Sequence, residues 1–341
     1  MRRIFVPIAA IFIAVFLGAL LLEGGSRLLV SSEPTVPIQV GQFDEVLGWS
    51  LKPLSSGISS RTGYDIEYRI NSRGLRDDET GYAKPKGTFR IVLLGDSRTF
   101  GYGVPIKKHF STLLEGYFKN VEVINMGVGG FGVDQELLSL RSEGFRYGPD
   151  LVLAYVAHYG AHRHMHTERF GKKKPRFVII DGKLALTNSP VVDSQGALPK
   201  IHGWFRRTSN AYRLFYDRLM NFLSQNQLGP KQQDEQDSKA EAFRKELHAL
   251  GSAIIFAMDE ESSIHGATFV LVTQVKELHR ATLDKEILSL DVSKPLFNSK
   301  FSLPDGLGHI NEAGNGVLAW QIAAFLQTNR LIPVKHLHGQ D

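Results

Sequence analysis

A serine stands where an apolar run ends, in the triplet Gly95-Asp96-Ser97. The run before it, residues 90–94, has the pattern of a buried strand, so the serine hydroxyl is expected at the rim of a sheet. A serine hydroxyl is a weak nucleophile at neutral pH unless a base lies within hydrogen-bonding reach. We therefore interpret Ser97 as a candidate nucleophile, and the alternative is that it only caps the helix that follows.

A second block near the C-terminus offers an acid and a base. His309 titrates near neutrality, so its imidazole can take a proton from the serine and return it to a leaving group. Asp305 is the candidate that orients this imidazole and stabilises its protonated form. Each residue has a structural alternative, a loop histidine and an aspartate that only forms a turn. Taken together, the three residue types predict nucleophilic acyl chemistry.

The elements that must position these residues alternate between strand and helix. Such alternation implies parallel strands that are covered by helices on both faces, which is an α/β fold. The predicted strands are residues 89–94, 121–125, 151–156 and 267–273, and the predicted helices are residues 107–118, 133–143, 210–223, 240–260 and 315–327.

Three further segments carry weaker signals. Residues 64–70 alternate between apolar and polar like an edge strand, within a β-rich lead-in that we interpret as a cap beside the main domain. Residues 177–186 are predicted to form a hairpin that turns at Asp181-Gly182. Residues 225–239 are polar and rich in glutamine, so we expect an exposed link there.

The composition excludes several classes of protein. The chain of 341 residues is 43% hydrophobic and has no cysteine, which excludes a mainly disordered chain, disulfides and a cysteine nucleophile. The net charge is +5, and the basic residues are scattered along the chain. The one tight run of lysines, residues 172–174, is interpreted as a solvated loop, so no nucleic-acid partner is expected. Histidines alternate at 162, 164 and 166, but no carboxylate spacing completes a zinc site, and neither a metal nor a cofactor is predicted.

The N-terminus carries an uncharged apolar segment at residues 4–22. A helix of about 20 residues spans a bilayer, and Arg2 and Arg3 before it place the N-terminus in the cytoplasm. The competing interpretation is a cleaved signal peptide, although the run is longer than a usual signal core and no small-x-small cleavage site follows it. We therefore predict an uncleaved transmembrane helix, with the remaining chain outside the cytoplasm, in the periplasm or at the cell surface.

Three blocks together resemble the SGNH, or GDSL, hydrolase family. Gly95-Asp96-Ser97 with the glycines after it is similar to the first family block, residues 123–130 to the second and residues 305–309 to the fifth. The blocks stand in family order over about residues 86–330. The resemblance implies a flavodoxin-like three-layer α/β/α sandwich with a parallel sheet, here preceded by the N-terminal transmembrane helix.

The resemblance also implies an oxyanion hole and exposes two departures from the family pattern. The implied donors are the backbone N–H groups of Ser97 and Gly130, together with an asparagine side chain after the third strand. In place of that asparagine this chain has His158, which we take as the substitute donor, with Arg163 nearby. The spacing from Asp305 to the histidine is one residue longer than the usual Asp-x-x-His, and the glycines of this loop can absorb the extra residue.

These observations predict an extracytoplasmic serine esterase that cleaves an ester, such as a short acyl group on an envelope carbohydrate, through an acyl-enzyme on Ser97. Two alternatives stay open: an O-acyltransferase that uses the same serine, and a non-catalytic protein that binds glycan or assembles with envelope proteins. The predicted divisions are residues 1–30 for the anchor and juxtamembrane segment, 31–85 for the lead-in, 86–330 for the SGNH hydrolase domain and 331–341 for a tail.

Overall fold

In the computed structural model, the chain forms two compact units. One consists of Met1–Pro37 with Gln195–Lys239, and the other, larger unit consists of Ile38–Ser194 with Ala240–Asp341 and holds the predicted site. The described residues are 14, 17–27, 40–59, 65–157, 162–193, 205, 208–212, 214–216, 218, 233–296, 298–305 and 308–338.

Strands and helices alternate through the described chain much as the sequence indicates. The strands are β1 (Gly41–Asp44), β2 (Gly48–Leu51), β3 (Ser56–Ser59), β4 (Ile66–Arg69), β5 (Phe89–Gly95), β6 (Val121–Asn125), β7 (Leu151–Val156), β8 (Glu168–Arg169), β9 (Lys172–Lys173), β10 (Arg176–Ile180), β11 (Lys183–Thr187), β12 (Thr268–Thr273) and β13 (Ser289–Asp291). The numbered helices are α1 (Ser97–Phe100), α2 (Phe110–Glu115), α3 (Val133–Ser142), α4 (Gln233–Ile264), α5 (Lys276–Leu283), α6 (Ser293–Leu296) and α7 (Glu312–Thr328).

Five of the strands form one parallel sheet in the order β13-β12-β7-β5-β6. Counted along the chain, these five strands lie in the order 2-1-3-4-5, which is the flavodoxin-like order. Strands β5 and β7 are buried along their whole length, as expected of parallel strands that helices cover on both faces. The parallel α/β architecture predicted from the sequence is therefore confirmed.

The sheet separates two hydrophobic cores, because neighbouring residues of a strand face opposite sides. Val92 and Leu94 of β5 point into a core that includes side chains of α3 and α4. Ile91 and Leu93 point into a second core that includes side chains of α2 and α7. The result is three layers, with helices on either side of the sheet.

The lead-in strands share the first of these cores, so they are more than a cap beside the main domain. Strands β1 and β2 pair antiparallel, as do β3 and β4, and Tyr68 of β4 is buried with the sheet residues. Arg76, which follows β4, is buried and donates hydrogen bonds to the backbone oxygens of Phe100 at 2.9 Å and of Val104 at 2.7 Å. The lead-in therefore fixes the end of α1, the helix that starts at Ser97.

Several predicted elements differ from those observed. The helix predicted at residues 107–118 is a 3₁₀ turn followed by the shorter α2, because His109 adopts an extended backbone and caps α2. The exposed link predicted up to residue 239 is wrong from Gln233 onward, where α4 begins. Strand β13 and helix α5 were missed, since the first has only 3 residues and the second is largely polar. Of the helix predicted at residues 210–223, half of the residues lie outside the described ones, and the described half is helical.

The basic run at residues 172–174 is not a solvated loop, which corrects the prediction. Its first two residues form β9, which pairs with β8, and Lys174 is completely buried. The Lys174 ammonium forms an ion pair with Asp134 and donates to the backbone oxygens of His166 at 3.1 Å and Pro175 at 2.9 Å. Burial of a charge is costly unless it is paired and hydrogen-bonded in this way.

Most of the predicted membrane anchor, residues 4–22, lies outside the described residues. In the described part of the chain, no helix combines the length and apolar character that a membrane span requires. The anchor and the location outside the cytoplasm therefore stay predictions.

Candidate active site

Ser97 begins α1 at the carboxyl end of β5, which lies between β6 and β7 in the sheet. The strand order reverses at this point, and open α/β sheets bind ligands in the crevice that such a reversal creates. Gly95 is required here, because a Cβ atom would lie 2.0 Å from Oγ1 of Thr99. Asp96 caps α1 by accepting a hydrogen bond from the backbone N–H of Arg98 at 2.9 Å.

The side chains of Ser97, His309 and Asp305 converge. Oγ of Ser97 lies 2.8 Å from Nε2 of His309, and Nδ1 of His309 lies 2.5 Å from Oδ2 of Asp305. When Nδ1–H donates to the carboxylate, Nε2 is left to accept the serine proton, which is the arrangement of a Ser-His-Asp triad. The extra residue in the spacing therefore does not prevent Asp305 from reaching the histidine.

The loop that carries His309 is fastened to α1. Nε of Arg98, the residue after Ser97, donates to the backbone oxygen of Gly308 at 3.0 Å. The backbone oxygen of His309 accepts from the N–H of Leu303 at 2.8 Å, and the ring of Tyr102 lies 4.6 Å from the imidazole ring. Contacts on both faces of the loop therefore hold the base against the nucleophile.

The surroundings keep His309 in the form that a general base requires. Burial lowers the pKa of the imidazole below its ordinary value, although the hydrogen bond and charge of Asp305 oppose the shift. The imidazole is therefore neutral at pH 7 and can accept a proton.

Asp96 is a buried structural anion. Its Oδ2 accepts from the guanidinium of Arg163 at 2.7 Å and lies 3.4 Å from that of Arg98. Burial alone would raise the pKa of this carboxyl, but the two guanidinium groups outweigh burial and hold its pKa below the ordinary value. Asp96 therefore orders the loop and is not a candidate acid.

Arg163 joins the two segments that carry the predicted oxyanion donors. The same Nη1 that bonds Asp96 also donates to the backbone oxygen of Phe131 at 2.9 Å. Asp96 directly precedes Ser97, and Phe131 directly follows Gly130. One buried guanidinium thus fixes the spacing between the two backbone N–H groups that are expected to bind an oxyanion.

We expect the change Arg163→Met to lower kcat/KM for a p-nitrophenyl ester about 100-fold, on the scale of losing one oxyanion donor. It should also lower the free energy of unfolding by about 3–5 kcal/mol, because Asp96 would lose a buried partner. Arg146→Met is the matched control, since Arg146 pairs with Glu143 at the surface. Steady-state kinetics and urea unfolding measure both effects, and a variant with unchanged kinetics would contradict the positioning role.

The loop that carries Gly130 is held by two hydrogen bonds from other parts of the fold. The backbone N–H of Val128 donates to the oxygen of Gly95 at 3.1 Å, and the indole N–H of Trp49 donates to the oxygen of Gly129 at 3.0 Å. Gly130 has a φ of +86°, and a Cβ atom there would lie 2.6 Å from Cε2 of Phe170. The backbone angle favours glycine at position 130, and a Cβ atom there would also displace the exposed ring of Phe170.

Gly130→Ala should therefore reduce kcat for ester hydrolysis by about 100-fold, since the strained loop would move a predicted oxyanion donor. Gly129→Ala provides the matched control, because a Cβ atom at Gly129 would have no neighbour within 4 Å. Kinetics of both variants with the same ester test this difference. Equal activities in the two variants would mean that the Gly130 backbone takes no part in the reaction.

Some predicted site residues are not brought together. His158 lies outside the described residues, so its role as third oxyanion donor stays a prediction. The rings of His162 and His166 are 5.8 Å apart, but His164 is buried and bonds the backbone oxygen of Leu247 at 3.0 Å. Among the residues that the structure describes, no group of three or more histidine, cysteine, aspartate or glutamate side chains is placed to hold a metal ion.

Two residues at the site escaped sequence-based reasoning, Arg98 and Tyr102. Arg98 directly follows the serine, which is a usable signal, but its partner Gly308 is 210 residues away in the chain. Tyr102 falls in the glycine-containing stretch after the triplet, where nothing distinguishes an aromatic residue that packs on a distant histidine.

No family model and no curated protein matches the chain. Among solved structures, it is similar to a member of the lipolytic protein G-D-S-L family from Veillonella parvula DSM 2008 (12% identity, TM-score 0.39, 70% of this chain and 97% of that chain). It is also similar to the psychrotrophic esterase EstA from Pseudoalteromonas sp. (12%, 0.39, 71% and 98%) and to the acetyl xylan esterase AlAXEase (13%, 0.35, 69% and 98%). At these identities the likeness concerns the fold alone, and the proposed function rests on the sheet order and the site geometry.

Proposed function

We propose that the chain is a serine hydrolase that cleaves an ester through an acyl-enzyme on Ser97. The observation that carries the proposal is the continuous contact from Ser97 Oγ through His309 to Asp305, with distances of 2.8 and 2.5 Å. These three residues come from two distant places in the chain, the end of β5 and the loop before α7, and meet at the crevice where the strand order reverses. A protein that only binds glycan or assembles with others has no need of this contact.

In the proposed reaction, Oγ of Ser97 attacks the ester carbonyl while Nε2 of His309 takes the hydroxyl proton. The backbone N–H groups of Ser97 and Gly130 stabilise the negative charge that develops on the carbonyl oxygen. The histidine then gives its proton to the leaving alcohol, and the C–O ester bond breaks. Water repeats the sequence on the acyl-serine and releases the acid, with Asp305 holding the imidazole throughout.

Fluorophosphonate labelling tests the proposal directly, because such probes react with an activated serine. Wild-type protein should take up one equivalent of probe, and peptide mass spectrometry should find the probe on Ser97. His309→Ala should abolish labelling, whereas His338→Ala, at the far end of the chain, should label normally. A native protein that takes up no probe would rule out an activated serine.

Release of acid or transfer of the acyl group separates the esterase from the O-acyltransferase. We propose hydrolysis, so wild-type protein should turn over p-nitrophenyl acetate without any added acceptor. Turnover that occurs only when a carbohydrate acceptor is present would instead identify a transferase that uses the same serine and histidine.

We further propose that the substrate is a short acyl ester, such as an acetyl group on an envelope carbohydrate, and that the enzyme works outside the cytoplasm on a membrane anchor. The location is supported by the uncharged apolar segment at residues 4–22 and by Arg2 and Arg3 before it. Membrane fractionation tests the anchor, and protease treatment of spheroplasts tests on which side of the cytoplasmic membrane the protein lies. Protein in the soluble fraction, or protein that a protease added outside the cytoplasmic membrane cannot digest, would contradict the anchored arrangement.

A further inference from the structure

The hairpin of β8 and β9 places two side chains against Gly130. A Cβ atom on Gly130 would lie 2.6 Å from Cε2 of Phe170 and 3.4 Å from Nε of Arg169. The Arg169 guanidinium lies over the ring of Phe170, 4.4 Å from its centroid, and this ring is 72% exposed. Arg169 therefore borders the loop that carries the second predicted oxyanion donor.

Among the residues that the structure describes, none forms an ion pair with Arg169, and the charge of Asp96 offsets that of Arg169 only in part. Its Nε is buried and has no hydrogen-bond partner among the residues that the structure describes. Burial, and then the charge of Arg163, lowers the pKa of Arg169, but an arginine stays protonated. A partly buried cation without a bonded anion is costly, so this guanidinium is placed where a bound anion would stabilise it.

The other ionisable groups near Arg169 do not supply that anion. Asp96 is already bonded to Arg98 and Arg163. Burial, followed by the charge of Asp96, raises the pKa of the buried Glu136 well above its ordinary value, which favours the neutral form of that carboxyl.

Two histidines lie in the neighbourhood of Arg169. The rings of His162 and His166 lie 5.8 Å apart. Burial lowers the pKa of His162, and the charges of His166, Arg163 and Arg169 lower it further. A region in which guanidinium groups stand beside imidazole donors favours a negatively charged ligand.

We propose that the ester substrate carries a carboxylate close to the reacting carbonyl, and that Arg169 binds this carboxylate beside Gly130. The planar guanidinium fork matches a carboxylate, and a charge-assisted hydrogen bond of this kind is stronger than a neutral one. The inference rests on the proposed function, since it names the substrate class of the same site. It makes Arg169 a residue that determines specificity and leaves the reaction steps unchanged.

Matched pairs of esters test the inference. In the first pair, 4-acetoxybenzoate carries the carboxylate on the alcohol half, and 4-acetoxybenzamide is its neutral partner. In the second, mono-(4-nitrophenyl) adipate carries it on the acyl half, and methyl 4-nitrophenyl adipate is neutral. Wild-type protein should prefer the charged member of at least one pair by about 10-fold or more in kcat/KM, and the pair that shows the preference tells which half carries the anion.

Three variants separate recognition from structure. Arg169→Gln should reduce that preference to about 1, whereas Arg169→Lys should keep part of it, because a lysine still offers a charge. Lys173→Gln removes a positive charge from the exposed face of the same hairpin and should leave the preference unchanged. A ratio near 1 in wild-type protein, or an unchanged ratio in Arg169→Gln, would overturn the inference.

Binding to a Ser97→Ala variant distinguishes failure of the inference from failure of the proposed function. Calorimetry should detect binding of the charged ester from the preferred pair, 4-acetoxybenzoate or mono-(4-nitrophenyl) adipate, to this variant, with affinity about 10-fold or more weaker after the added change Arg169→Gln. Such binding without turnover of any ester by wild-type protein would retain the carboxylate site and reject the esterase. Turnover of neutral and charged esters at equal rates, without binding that depends on Arg169, would retain the esterase and reject the carboxylate site.

Discussion

Replacing Ser97 by alanine is expected to abolish ester turnover while the protein stays folded. Removing the nucleophile of a serine triad costs on the order of 10⁴- to 10⁶-fold in kcat, because no other group can form the acyl-enzyme. The change deletes one oxygen at the first turn of a four-residue helix whose cap is the neighbouring Asp96. Its effect on stability should therefore be small compared with its effect on activity.

The comparison is sharpest with Ser142→Ala, which makes the same substitution on the exposed end of α3. Both variants should unfold at nearly the wild-type temperature, and only Ser97→Ala should lose turnover of p-nitrophenyl acetate and labelling by fluorophosphonate. Residual turnover above about one part in a thousand by a Ser97→Ala preparation free of contaminating esterase would mean that another nucleophile carries the reaction.

Asp305→Asn is expected to have the second largest effect, about 10³- to 10⁴-fold in kcat. The amide would no longer hold Nδ1–H of His309, so the imidazole would lose the tautomer that accepts the serine proton at Nε2. This variant also tests the unusual spacing, since an aspartate that only formed a turn would cost little when changed to asparagine.

The pH profile of the same variant is a second, independent test of the pairing between Asp305 and His309. The base must be neutral, so kcat/KM rises with pH through the pKa of His309, which burial holds below its ordinary value. Asp305 raises this pKa, and removing its charge should therefore move the rise to lower pH while the plateau falls. Asp284→Asn, at the exposed end of α5, is the control and should change neither quantity. A rise that moves to higher pH would contradict the pairing of Asp305 with His309.

The sheet was predictable from the sequence because its strands are buried on both faces. Strand β7 has the predicted bounds, Leu151–Val156, and β5 extends only one residue beyond its prediction. Short or polar elements gave no such signal, since a strand of 3 residues such as β13 has no periodicity to detect. Lys174 shows the limit in the opposite direction, because three consecutive lysines indicate solvent until a buried acid, Asp134, is found 40 residues away.

At the site, local sequence motifs identified the reacting groups, whereas contacts between distant residues determine what holds those groups in place. Ser97 and His309 stand in recognisable blocks and meet at 2.8 Å, as expected. Arg163 was expected only to lie nearby, and its link between Asp96 and Phe131 depends on how two loops fold onto one another. Arg169 has no sequence signal of its own. Its place beside Gly130 depends on how the β8–β9 hairpin packs against the Gly130 loop, which is distant in the sequence.

The hairpin of β8 and β9 lies in the long stretch of chain between β7 and β12, whereas the triad comes from the end of β5 and from the loop before α7. The residues of the triad and the side chain proposed to select the substrate therefore lie in different segments of the sequence. Evolution, or a protein engineer, can vary the hairpin itself while keeping the triad and Arg163, which bonds both oxyanion segments from the same part of the chain. Related chains with the same triad and different hairpins are therefore expected to act on different substrates through the same reaction.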